Sequence, residues 1–143
     1  KGNDYKEDLI SGDAVAVIGW SGDAFQLAAE NDGKFEFAIP ESGGTISADN
    51  FIIPSTSKNK ANVEKLINYY YEPEVAAKVA AYVNYITPVQ GAQAAMEKVD
   101  PTLVNNELIF PTAKTQSMLH VFRNLTPAEE TEFTDAFQKA TGN

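Results

Sequence analysis

Two short segments of this sequence carry residue types suited to holding a small cation. Trp20-Ser21-Gly22-Asp23 closes an apolar run with an indole and a carboxylate, and Ser47, Asp49 and Phe51 alternate within residues 43–54. A carboxylate accepts charge-assisted hydrogen bonds from an ammonium group, and an aromatic face adds cation–π attraction. Each residue also has an ordinary reading. Trp20 can fill a core, and Ser21 or Asp23 can cap a helix. If Ser47, Asp49 and Phe51 share a strand face, Asp49 points into a cleft beside an aromatic wall; if a strand begins only at Phe51, Asp49 is a turn residue.

Other chemistries find little support. The sequence contains no GxxxxGK[ST], GxSxG, HExxH or GxGxxG pattern. It has no cysteine, which excludes thiol catalysis, disulfides and Cys-ligated metals without fixing the compartment. His120 is the single histidine, so a His-cluster metal site is impossible, and within Met-Leu-His-Val-Phe it reads as structural. Tyr69-Tyr70-Tyr71 suggests ferric iron, but successive side chains on a helix point about 100° apart and do not converge on one ion. Asn124-Leu125-Thr126 fits a glycosylation pattern, yet Pro127 follows and Thr126 is better explained as a helix cap. A Ser-Lys or carboxylate-only mechanism stays formally open, though no spacing supports one, and no residue is assigned a catalytic, metal-ligating or cofactor-binding role.

A chain of 143 residues, 43% hydrophobic, is long enough for one core. The formal charge of -9 disfavours nucleic acid, whose phosphates call for clustered Lys and Arg, and is compatible with a cationic ligand or simply with solubility. No stretch has the uninterrupted apolar length of a membrane span, and Lys1-Gly2-Asn3-Asp4-Tyr5 lacks the segments of a secretion signal. The sequence thus reads as a mature or trimmed chain.

The elements that must position these residues follow from pattern. Residues 5–10 read as a helix closed by Ser11-Gly12. Residues 14–20 are apolar without alternation, as in a strand buried on both faces of a parallel sheet, and ligands bind at the carboxyl edge of such sheets, where Trp20 falls. A helix over residues 24–30 ends at Asn31-Asp32-Gly33, and alternating Phe35, Phe37 and Ile39 predict a second strand, giving a right-handed parallel crossover. Residues 43–54 predict a third extended segment. Val63, Leu66, Ile67 and Tyr70 form one helix face; Pro73 opens another helix with Val75, Val79 and Tyr82 or Val83 inward. Asp100-Pro101 predicts a short helix, and Thr126-Pro127-Ala128-Glu129 is a capping box ahead of Phe133, Ala136, Phe137 and Ala140.

In this order, Val-Ile-Gly-Trp-Ser-Gly-Asp-Ala, Phe-Ala-Ile-Pro-Glu-Ser-Gly-Gly and Asp-Asn-Phe-Ile-Ile-Pro resemble the later half of bacterial spermidine/putrescine-binding proteins of ABC transporters. Ser57-Lys58-Asn59-Lys60, Leu66-Ile67-Asn68, Glu72-Pro73-Glu74-Val75-Ala76 and Tyr85-Ile86-Thr87-Pro88 extend the resemblance, which runs from about Asp8 to Gln90.

The resemblance implies an α/β fold in which parallel-sheet lobes flanked by helices form part of a type II, two-lobed periplasmic-binding-protein-like architecture. Residues 1–46 would belong to lobe two, 47–95 to a return through lobe one, and 96–143 to the C-terminal helices of lobe two. Trp20 matches a ligand-contacting tryptophan and Asp49 an amine-binding carboxylate; Ser47 stands where polyamine binders often carry a second tryptophan. Ser21, Asp23 and Tyr85 complete the candidate ligand-binding set. The implied partners are a polyamine-like cation and an ABC permease, in a periplasmic or extracellular setting with membrane association through the transporter or through a lipid anchor on the full-length precursor. An N-terminal lobe, a second copy or a fused partner is expected to cover what this chain leaves open. Another solute, such as thiamine, an aminophosphonate or ferric iron, and a lobe-like interaction domain remain as alternatives.

Overall fold

The computed structural model describes residues 4–142. The terminal residues Lys1, Gly2 and Asn3, read above for a secretion signal, lie outside the described residues. The chain forms seven α-helices among the described residues: α1 (Tyr5–Ser11), α2 (Ser21–Glu30), α3 (Lys60–Tyr70), α4 (Pro73–Val83), α5 (Ala92–Val99), α6 (Ala113–Ser117) and α7 (Pro127–Thr141). Two short strands, β1 (Gly44–Ile46) and β2 (Leu119–Val121), pair in parallel with Gly44 opposite Leu119, Thr45 opposite His120 and Ile46 opposite Val121. The architecture is helix-rich with a small parallel sheet.

Helix ends follow local sequence closely. Gly12 closes α1 in the left-handed region, Pro73 stands in the first turn of α4, and Gly142 ends α7. The capping box is complete: the Thr126 hydroxyl accepts from the Glu129 amide, and a Glu129 carboxylate oxygen accepts from the Thr126 amide at 2.8 Å. Asp100 accepts from the Thr102 amide at 2.9 Å, but the turn it opens, Pro101–Leu103, is a single 3-10 turn rather than an α-helix.

The core lies where α4 packs on α5 and the 3-10 turn. Ala77, Ala80, Met96, Leu103 and Ile109 are its buried centre, with Phe25 of α2 and Phe110 packed against them. The buried face of α4 is its alanine stripe, Ala76, Ala77 and Ala80, while Val75, Val79 and Val83 are half-buried and Tyr82 is exposed. Small side chains let α5 approach closely, so the face is set by alanines that a search for large apolar residues passes over. On α3, Val63, Ile67 and Tyr70 are half-buried and Leu66 is exposed.

The two strands expected at residues 14–20 and 35–39 are corrected. Neither segment forms a strand or has a ladder partner among the described residues. Val15 and Ile18 are fully exposed, so the run that reads as buried on both faces is bare here. A strand is completed by a neighbour, and uniform apolarity encodes the need for that neighbour without supplying it. Residues 35–39 do show the predicted alternation, with Phe35, Phe37 and Ile39 half-buried between exposed neighbours. The segment 43–54 is a strand only at its start. Gly43 has φ 93°, and a Cβ there would lie 2.5 Å from the Met118 carbonyl oxygen, so glycine is required for β1 to meet β2.

Replacing Met96 by alanine should cost about 2–5 kcal/mol of stability, because a fully buried side chain leaves a cavity; a denaturant midpoint equal to that of the parent would contradict the core assignment. Arg123, whose guanidinium lies 2.7 Å from Glu129, and then the Thr126 amide and hydroxyl hold the Glu129 carboxyl down at about 2. A depressed carboxyl stabilises the fold fully above its ordinary value near 4.5, and that contribution is lost as pH falls through about 2. An NMR titration should place the Glu129 midpoint near 2 and shift it upward in Arg123→Ala. A midpoint near 4.5 in the intact chain would refute the pairing.

Candidate functional site

The site grows from the junction between residues 14–20 and α2. Trp20 is the N-cap of α2, in extended conformation, and its carbonyl accepts from the Ala24 amide at 3.0 Å. Its own N–H donates to the Tyr5 hydroxyl at 3.1 Å. That hydroxyl donates in turn to Asp23 Oδ2 at 2.6 Å. One phenol of α1 therefore fixes both the backbone of Trp20 and the carboxylate of Asp23. Lys6, the next residue of α1, brings its ammonium to 3.4 Å from Asp23 Oδ1.

Two glycines admit the tyrosines that hold this segment. A Cβ on Gly19 would lie 2.9 Å from the Tyr5 ring, and one on Gly22 would lie 2.5 Å from the Tyr85 ring. Tyr85 is delivered by the end of α4. Asn84 takes the left-handed conformation at φ 59°, its amide donates to the Ala80 carbonyl, and its side-chain amide donates to the Ala81 carbonyl at 3.0 Å. The next residue then lays its ring over Gly22.

Electrostatics follow from this packing. Burial, then the hydrogen bond to Asp23, raises the Tyr5 hydroxyl above the ordinary phenol value. Burial, then the Asp23 charge, does the same for Tyr85. Both remain protonated at neutral pH, so Tyr5 can stay a donor to the carboxylate. Asp23 is only 8% exposed, whereas the Trp20 residue beside it is 54% exposed. A shielded carboxylate three residues along from an exposed tryptophan suits an organic cation better than a metal, and no metal-holding cluster of acidic or histidine residues occurs among the described residues.

The six sequence-derived candidates fall into two groups. Trp20, Asp23 and Tyr85 converge, with half-buried Ser21 as the first residue of α2 between them. The capping role read for Asp23 is corrected: it lies inside α2 and its carboxylate turns to Tyr5 and Lys6, because the extended Trp20 already occupies the cap position. Ser47 and Asp49 lie beyond the end of β1 in irregular extended chain, both exposed. Asp49 makes no hydrogen bond or ion pair with the described residues, and the network around Asp23 does not include it. The nearby aromatic contact is Phe51 edge-on to Tyr70 at 5.0 Å between ring centres.

Sequence reasoning missed Tyr5 and Lys6. Their partner is 17 or 18 residues away, across a segment with no fixed local geometry. The signal that could have found them is the glycine on each side of Trp20-Ser21, since close backbone approach calls for a large neighbour. A surface depression of about 330 Å³ elsewhere, bordered by Phe37, Ile39, Leu108 and Met118, contains none of the six candidates.

Residues 1–111 match the model of a family described as bacterial extracellular solute-binding protein. The chain is 30% identical over 140 residues to the putrescine-binding periplasmic protein PotF of Escherichia coli, covering 94% of this chain and 37% of that protein. It is 36% identical over 108 residues to a spermidine/putrescine-binding periplasmic protein of Salmonella typhimurium, covering 76% of this chain and 30% of that protein. A putrescine/agmatine-binding protein of Pseudomonas aeruginosa is 28% identical over 123 residues, covering 82% and 33%. The chain spans about a third of the length of these relatives. With the family model matching most of its residues, the chain belongs to the bacterial extracellular solute-binding proteins.

Proposed function

We propose that this chain forms part of a solute-binding protein that takes up a small polyamine, of the putrescine or spermidine class, for delivery to an ABC permease outside the cytoplasm. The observation that carries the reading is that one Tyr5 hydroxyl ties the backbone of the exposed Trp20 to the shielded Asp23 carboxylate on one glycine-flanked turn. That pairing matches the chemistry of an alkyl ammonium: an apolar stem against a ring and a charged head against a carboxylate. The relatives' names point the same way, each specifying a polyamine.

In this reading Asp49, exposed and without a partner among the described residues, binds a second amine, and Tyr85 borders the solute beside Gly22. Ser47 leaves the site one aromatic wall short, so Trp20 supplies most of the apolar contact. The fold is one part of a type II, two-lobed architecture, with residues 1–46 and 96–143 in one lobe and 47–95 returning through the other. Pairing of β1 with β2 supports grouping residues 1–46 with the C-terminal portion, since it brings that portion back beside the end of the first segment, while α5 spans the boundary at residue 95 and shares a core with α4. The lobes close about a hinge, and the solute stabilises the closed state by touching both.

Titration calorimetry on the complete gene product tests the assignment. Putrescine or spermidine should bind, Asp49→Ala should weaken binding roughly 10-fold or more, as expected when a charge-assisted hydrogen bond is lost, and Trp20→Ala should weaken it by about 3-fold or more. Polyamine affinity untouched by both substitutions would refute the site, and tight binding of an anionic solute instead would refute the ligand class.

A further inference from the structure

Asp23 already has two partners from its own chain, and they differ in kind. The Tyr5 contact, at 2.6 Å, is short and its donor is a rigid ring wedged against Gly19. The Lys6 contact, at 3.4 Å, is long for an N–H···O bond, and its donor is a flexible four-carbon stem whose side chain is 31% exposed. One carboxylate oxygen is therefore held firmly and the other loosely. The Asp23 side chain is only 11% exposed, which leaves little room for a second cation while Lys6 is in place.

We propose that Lys6 competes with the solute for Asp23, so that binding exchanges the lysine ammonium for a solute ammonium and Lys6 lowers the affinity of the site. The proposal rests on reading Asp23 as an amine acceptor. Two ammonium groups at one carboxylate repel each other, so the incoming amine must displace Lys6 rather than join it. Lys6 has a route out: it lies in the first turn of α1, partly exposed, and its stem can swing to water without unfolding the helix. Tyr5 cannot do the same without giving up the Trp20 amide. Tyr5 is thus a positioning residue and Lys6 an exchangeable one.

Calorimetric titration of putrescine and butylamine into the complete gene product, with Lys6→Gln, Lys6→Arg, Asp23→Asn and the Lys6→Gln/Asp23→Asn double variant, tests the exchange. Lys6→Gln should tighten putrescine binding by about two- to fivefold, the range of a partly exposed ion pair, and should tighten butylamine binding by a similar factor. Lys6→Arg should keep the parent affinity, because it still offers a cation. The gain should vanish in the Asp23→Asn background. If Asp23→Asn weakens binding while Lys6→Gln weakens it or leaves it unchanged, competition is refuted and the Asp23 assignment stands. If Asp23→Asn has no effect, Asp23 is not an amine acceptor and the proposal falls with that assignment. Circular dichroism of each variant identifies any loss of affinity that comes from loss of fold.

Discussion

The Tyr5 hydroxyl is the contact on which the arrangement of the site depends. It accepts from the Trp20 amide and donates to the Asp23 carboxylate, joining α1 to the N-terminus of α2 through one atom. Without it, the extended run before Trp20 would have no fixed relation to α2, since no strand among the described residues pairs with that run. The bond is short and its acceptor is charged and shielded, the circumstances in which a hydrogen bond contributes most. Raising the phenol's affinity for its proton keeps this donor in place over the physiological range.

The core serves the same end from the other side. Alanines on α4 let it seat against α5, with Met96 and Ile109 filling the interior. The helix then ends in the left-handed Asn84, which turns Tyr85 onto Gly22. Sequence, packing and site are linked in this chain of contacts: small residues fix the helix pair, the helix end fixes a tyrosine, and two glycines let two tyrosines hold one turn from both sides.

What could be read in the sequence was what depends on neighbours in sequence. The Thr126–Glu129 box, the Pro73 start and the Gly12 stop are local hydrogen-bonding and backbone rules, and the helices begin and end there. Residues 14–20 and 35–39 were misread as paired strands because pairing needs a distant segment, and an apolar run records only the demand for one. Helix α5 escaped notice because its inward residues include Ala92 and Ala95 around a single Met96, too small a contrast to make a face. At the site, Trp20 and Asp23 stand out by type and position and Tyr85 enters only through the resemblance, whereas Lys6 and Tyr5 acquire meaning only when α1 folds back on α2. Asp49 stayed ambiguous between turn and cleft because strand β1 stops at Ile46, short of the position where alternation would fix its direction.

The most direct measurement is a crystal structure of the complete gene product grown with putrescine. The account predicts the alkyl chain lying against Trp20, with one ammonium within hydrogen-bonding distance of Asp23 or Asp49 and Lys6 withdrawn from Asp23 Oδ1. A putrescine bound away from Trp20, touching neither carboxylate, would contradict it.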